Sequence, residues 1–258
     1  MLYRKNSGWV ITFLHIRQTF LLFKSLLLRL KTRTPTMKKI FLLAALLSAV
    51  VKTASAQTSK VYINNGYKLT LTNNDATLDT AELTRLVKTF YIVYPKLAAE
   101  YNPGTLKEVK MSVDTSYKGV AATADGKVTI ASSWLHKRPE DIDVVTHEVM
   151  HIVQDYGETV GPGWLTEGIA DYARNKFGVN NPAAKWMLPE FKPTQNYDNA
   201  YRVTARFLVW IEEKKKPGLV KELDSQLRKH TYTDAAWKQQ TGKTVDELWK
   251  EYAVNPVI

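Results

Sequence analysis

His147-Glu148-Val149-Met150-His151 constrains this chain more than any other stretch. Residues four apart share one face of a helix, so both imidazoles can reach a single ion with Glu148 beside them. Stepping residues by about 100° puts Ile142, Val145, Val149, Ile152, Val153 and Tyr156 on one apolar stripe. His147 and His151 fall on roughly the opposite side, whereas a histidine that merely fills a core would sit within the stripe. Pro139, Glu140 and Asp141 mark the expected helix start, and Gly157 the expected stop.

Two histidines supply two ligands, and a catalytic zinc takes three from the protein plus a water. Sixteen residues beyond His151 stands Glu167, in the helical stretch Trp164-Leu165-Thr166-Glu167-Gly168-Ile169-Ala170-Asp171-Tyr172 behind a Gly-Pro-Gly turn. Glu167 and Asp171 are again four apart. One can ligate a metal while the other supports a ligating histidine from behind, and spacing alone leaves both assignments open.

The formal charge of +11 suggests nucleic acid or an anionic membrane, but its location removes that reading. Residues 1–56 hold ten Lys/Arg and no acid, which leaves 26 bases against 25 acids in the other 202 residues. No nucleic-acid partner is expected. Met37-Lys38-Lys39, the apolar run Ile40 to Val51 and Ala54-Ser55-Ala56 have the three parts of a secretory signal peptide, ending at residue 56. The run is shorter than the roughly 20 apolar residues of a spanning helix, so no stable membrane insertion is expected after cleavage. Residues 1–36 then read as a spurious upstream extension, and 57–258 as a single exported domain, secreted or periplasmic. With no cysteine in the chain, that domain has no disulfide framework and no thiol nucleophile.

Strand signals come first along residues 57–135. Lys68-Leu69-Thr70-Leu71-Thr72 alternates, Val109 to Val113 reads as a strand, and Asp125-Gly126 joins Gly119–Ala124 to Lys127–Ala131 as a hairpin. Ala81 to Tyr94 has helical spacing and is expected to end before Pro95. From Pro139 onward the pattern is helical, and Thr244 with Glu247 forms a capping box before the last helix. Strands followed by helices predict an α+β fold: a small mixed or antiparallel N-terminal sheet over the His-Glu helix, then a mostly helical C-terminal half. Trp134, Trp164, Trp186 and Trp210 are candidates to line a pocket, although the core is the commoner place for tryptophan.

These residues resemble the plant and bacterial basic secretory protein family of metallopeptidases, and more broadly the gluzincin plan of H-E-x-x-H followed by E-x-x-x-D. The resemblance runs from about Val61 to Tyr252. It is carried by His147 to Gln154, Trp164 to Arg174, Tyr201 to Leu208 and Thr241 to Trp249. The chain departs from the plant pattern in its lack of cysteine and in the near-neutral charge of the exported part. The resemblance implies a zincin-like, secreted, zinc-dependent peptidase. Zn2+ would rest on His147, His151 and Glu167, with Asp171 behind a histidine, and Glu148 would be general base to a zinc-activated water. A protein or peptide substrate is implied, and the hairpin could lend it an edge strand by analogy. Tyr201, opening a later helix, is the expected oxyanion donor, ahead of Tyr197, His230 and Arg206. The competing reading is a secreted zinc-binding protein without hydrolytic activity, directed at cell wall or carbohydrate, which the intact Glu148 disfavours. The oligomeric state is left open by the sequence.

Overall fold

Alternating side chains build the sheet, and this computed structural model describes it within residues 58–157 and 161–258. The upstream residues 1–36, the expected signal segment 37–56 and the expected first exported residue, Gln57, lie outside the described residues. All described residues belong to one unit, Ser55–Ile258. Strand β1 (Thr58–Asn64) turns through Asn65-Gly66, both at positive φ, into β2 (Tyr67–Asn73). In β2, Leu69 and Leu71 are buried while Lys68, Thr70 and Thr72 stay half-buried, the alternation a sheet over a core requires.

Helix α1 (Thr80–Glu100) crosses over to β3 (Glu108–Asp114), which lies parallel to β2 as such a crossover permits. Strands β4 (Ala121–Ala124) and β5 (Lys127–Ala131) form the expected hairpin, with Asp125 at φ 50° and Gly126 at φ 68°. These angles match a type I′ turn, in which both central residues need positive φ. The sheet is mixed, in the order β1-β2-β3-β5-β4, so β4 stands at an edge.

Three helix ends differ from the sequence expectation. Helix α1 runs through Pro95 instead of stopping before it. Pro95 removes one donor, and it does so on a half-exposed face while Val93, Tyr94, Leu97 and Ala98 are buried around it, so packing carries the helix past the gap. After α2 (Ser132–Lys137), helix α3 (Val144–Gln154) begins later than Pro139. Asp141 is held by Arg174 and by the Trp134 indole, and buried Asp143 accepts the Val179 and Asn180 amides, so both acids serve neighbouring segments. Helix α3 ends through Asp155, at φ 47°, rather than at Gly157.

The C-terminal half is helical: α4 (Gly163–Phe177), α5 (Tyr201–Lys214), α6 (Leu219–Arg228), α7 (Ala235–Thr241) and α8 (Val245–Val254), with a short 3-10 turn at Tyr197–Asn199. The capping box that opens α8 forms as expected, with each of Thr244 and Glu247 accepting the other's amide. Among the four tryptophans, Trp164 stacks on Trp237 and Trp210 packs on Tyr252 in an aromatic core, while Trp134 and Trp186 line a cleft beside α3. No helix among the described residues is long and apolar enough to cross a membrane.

Helices α4 and α5 make the most extensive helix–helix contact, with Gly168 facing Thr204. A Cβ at Gly168 would run into the Thr204 side chain, whereas one at Gly163 meets nothing within 4 Å. Alanine in place of a helical glycine gains about 1 kcal/mol in propensity, and overpacking costs about 1–3 kcal/mol. Gly168→Ala is therefore expected to lower the thermal midpoint and Gly163→Ala to hold or raise it. Equal midpoints for the two variants in a melting experiment would remove Gly168 as a packing constraint.

Candidate metal centre

Helix α3 is buried nearly all round, which the one-sided apolar stripe does not foretell. Val145, Val149, Ile152 and Val153 face the core. On the opposite side, His147 and Glu148 are also buried, and His151 is half-buried, because β4 and α4 close over them. Polar groups in such a place need partners.

Each histidine finds one behind its ring. The His147 Nδ1–H donates to Asp171 Oδ1 at 2.7 Å, and the His151 Nδ1–H donates to Gln154 Oε1 at 2.7 Å. Gln154 is fixed in that sense because its Nε2 donates to the Thr166 carbonyl at 2.9 Å. With Nδ1 carrying the proton, both Nε2 atoms present lone pairs. They face each other at 3.2 Å. The Glu167 carboxylate closes the triangle, with Oε2 3.2 Å from His147 Nε2 and 3.6 Å from His151 Nε2.

Three electron-pair donors thus converge, a cluster able to hold a metal ion. Around a tetrahedral ion with bonds of about 2.0–2.2 Å, donors lie about 3.3–3.6 Å apart. The spacings here, 3.2 to 3.6 Å, lie close to that range, and the mix of two imidazoles and one carboxylate suits zinc among divalent ions. Without an ion, a proton has to relieve the crowding. Burial alone would lower the His147 pKa, but hydrogen bonds to Asp171 and Glu167 outweigh it and raise the value to about 10. Burial would likewise raise that of Glu167, yet its bonds from His147 and His151 hold it down at about 2.

Glu148 sits under β4. Thr123 Oγ1 lies 2.7 Å from Glu148 Oε2 and 3.0 Å from the Glu148 carbonyl oxygen, so the Thr123 hydroxyl tethers the carboxylate. Thr123 and Gln154 were not singled out in the sequence. Gln154, three residues after His151, had a helical spacing that could have pointed to it, whereas Thr123 lies 25 residues from Glu148 and meets it only through the fold.

Tyr201 lies over the site, its ring stacked on the His147 imidazole at 6.1 Å with 19° between planes. The Glu167 charge, with burial and the charges of Asp171 and Glu148, raises its pKa. Its neighbour Ala200 has φ 62° and ψ −177°, and Tyr201 itself has φ 49°. Non-glycine residues in such regions cost about 1–3 kcal/mol each and collect at functional sites. Tyr197 is engaged elsewhere, its hydroxyl donating to Asp246 at 3.0 Å, and Arg206 donates to the Pro256 carbonyl. His230 lies beside Gly157, at the far end of α3.

His147, Glu148, His151, Glu167, Asp171 and Tyr201 share a cleft of about 1320 Å3 that runs along α3 beneath β4. No curated protein matches the sequence. Among solved structures, the chain is similar to an M1 zinc metallopeptidase from Deinococcus radiodurans, at 14% identity and a TM-score of 0.46 over 79% of this chain and 52% of that one. It is also similar to an aminopeptidase N family protein from Idiomarina loihiensis, at 11% identity and a TM-score of 0.47 over 76% of this chain and 46% of that one. The chain thus spans about half the length of these structures. A family model described as peptidase of plants and bacteria matches residues 46–252, most of the sequence, and the chain belongs to that peptidase family.

Proposed function

We propose that this protein is a secreted, zinc-dependent peptidase in which His147, His151 and Glu167 hold the metal and Glu148 is the general base. The observation that carries the reading is the triangle of His147 Nε2, His151 Nε2 and Glu167 Oε2 at 3.2, 3.2 and 3.6 Å, with a tethered carboxylate next to it in sequence. A zinc ion bound there would supply a Lewis acid and a water of lowered pKa.

The chain's own residues do the rest. Asp171 and Gln154 keep both imidazoles in the tautomer that faces the centre. Glu148 takes the proton of the attacking water and returns it to the departing amine, and the Thr123 hydroxyl keeps its carboxylate in one orientation. Tyr201 offers a phenol to the developing oxyanion from above the His147 ring. Strand β4 pairs with β5 through Val120, Ala122 and Ala124, which leaves the backbone of Ala121 and Thr123 turned outward. An extended peptide can pair there. The Tyr117 hydroxyl now donates to the Ala121 carbonyl at 3.2 Å and would yield to it. Export through the signal segment 37–56 completes the reading.

Metal analysis and digestion of a peptide library, each with and without chelator, test the function. Glu148→Gln is expected to keep about one zinc per chain and to lose hydrolysis, since ligands remain and the base does not. Substantial cleavage by that variant would refute the role of Glu148, and cleavage indifferent to chelator would refute the metal.

The two acids of α4 are distinguished by zinc affinity. Asp171→Asn is expected to weaken binding by about 10–100-fold, and Glu167→Gln by more, because one acts through His147 and the other on the ion. The reverse order in a zinc titration would exchange their roles.

Tyr201→Phe is expected to fold, retain zinc and lose about 100–1,000-fold in turnover. Wild-type turnover in that variant would leave Tyr201 as a packing residue.

A further inference from the structure

The cleft is charged unequally along its length, and the fold gives that inequality a direction. Strand β4 and helix α3 run the same way. The hairpin tip at Gly126 lies against Leu106, whose neighbour Thr105 donates to the carbonyl of Ile152 near the end of α3. The start of β4 leads back through the Val120–Ala131 bond to α2, where Trp134 donates to Asp141 just before α3 begins.

At the α3 start, the cleft is lined by Arg138, Lys185 and Arg202, all exposed. Of the carboxylates lining that end, Asp141 is already paired with Arg174 and Asp171 with His147. Arg174 is also held by Asn181 and stacked on Trp186 at 4.5 Å, so it forms a fixed floor beside Lys185. Arg202 follows Tyr201 and donates to the Met187 carbonyl at 3.3 Å, which brings it to the same segment. None of Arg138, Lys185 and Arg202 has an acidic partner within 4.0 Å among the described residues. The other end of the cleft carries Asp125 at the hairpin tip and Asp155 at the end of α3.

We infer that the end of the cleft beside the start of α3 is a carboxylate-binding subsite, formed by Arg138, Lys185 and Arg202, for the part of a peptide that lies C-terminal to the scissile bond. The inference rests on the peptidase reading of this site and adds a substrate class to it. Antiparallel pairing is the stronger and commoner arrangement for a strand added to an edge. A peptide lying antiparallel on Ala121 and Thr123 runs from the Asp125–Asp155 end toward the three cations. Its C-terminal portion meets unpaired positive charge, and carboxylates are disfavoured at the opposite end. An acidic side chain and the free C-terminal carboxylate carry the same chemistry, and either fits.

The test compares peptides that differ only in the residue after the scissile bond, Glu against Gln, each with a free or an amidated C-terminus. Rates are read on the zinc-loaded protein, and affinities on the Glu148→Gln protein through tryptophan fluorescence. Charge-assisted hydrogen bonds predict a preference of roughly ten- to hundredfold for the carboxylate in both readouts. The Glu/Gln comparison reports a side-chain carboxylate, and the acid/amide comparison a terminal one. The preference is expected to fall to about one in a triple variant, Arg138→Ala with Lys185→Ala and Arg202→Ala, and to persist in Lys88→Glu, a charge change at an exposed position of α1. Should the triple variant fail to fold, Arg202→Ala alone and 0.5 M salt on the wild type are each expected to shrink the ratio. Equal affinities for all four peptides overturn the subsite, whether or not the protein cleaves them. A preference on the N-terminal side of the bond overturns the direction. Charge-selective binding without hydrolysis would reject the peptidase reading and keep the subsite, whereas hydrolysis without charge preference would do the reverse.

Discussion

The hydrogen bond between His147 and Asp171 is the interaction on which the rest of this structure depends. It joins α3 to α4, between groups that are both buried. Losing one partner there would strand a polar group away from water, at a cost of about 1–3 kcal/mol. The bond also fixes the orientation of the ring, so that His147 turns Nε2 toward Glu167. A single contact therefore serves the packing of two helices and the chemistry between them.

The polar layer around that bond is continuous. Gln154 links the His151 ring to the Thr166 carbonyl, one residue before Glu167, and Thr123 links β4 to Glu148. Sheet edge, first site helix and second site helix are thereby fastened through the site instead of around it. Such networks hold geometry well when every member is satisfied. The triangle of His147, His151 and Glu167 is the exception by design: its three acceptors face one another and need a shared positive charge. Close approach of α5 through Gly168 brings the strained Ala200–Tyr201 segment over the same point.

Much of this architecture was legible in the sequence because it rests on short-range regularities. The period-two alternation of β2, the Asp125-Gly126 turn and the Thr244–Glu247 cap each depend on a few adjacent residues. The errors arose where distant contacts override a local rule. Pro95 stays inside α1 because the residues flanking it are buried, and α3 starts after Asp143 because Asp141 and Asp143 bind Arg174, Val179 and Asn180, all more than 30 residues away.

The division falls along the same line at the site. Spacing four in two helices was enough, by itself, to put His147 with His151 and Glu167 with Asp171 on common faces, since the helix repeat is a local property. Which acid faces the two Nε2 atoms and which stands behind His147 depends on how α4 lies across α3, and only the tertiary structure decided that. The Thr123 tether and the gathering of Arg138, Lys185 and Arg202 at one end of the cleft belong to the same class. They join residues from separate loops and strands, and no periodicity in the chain encodes a distance between side chains that meet only when the core has packed.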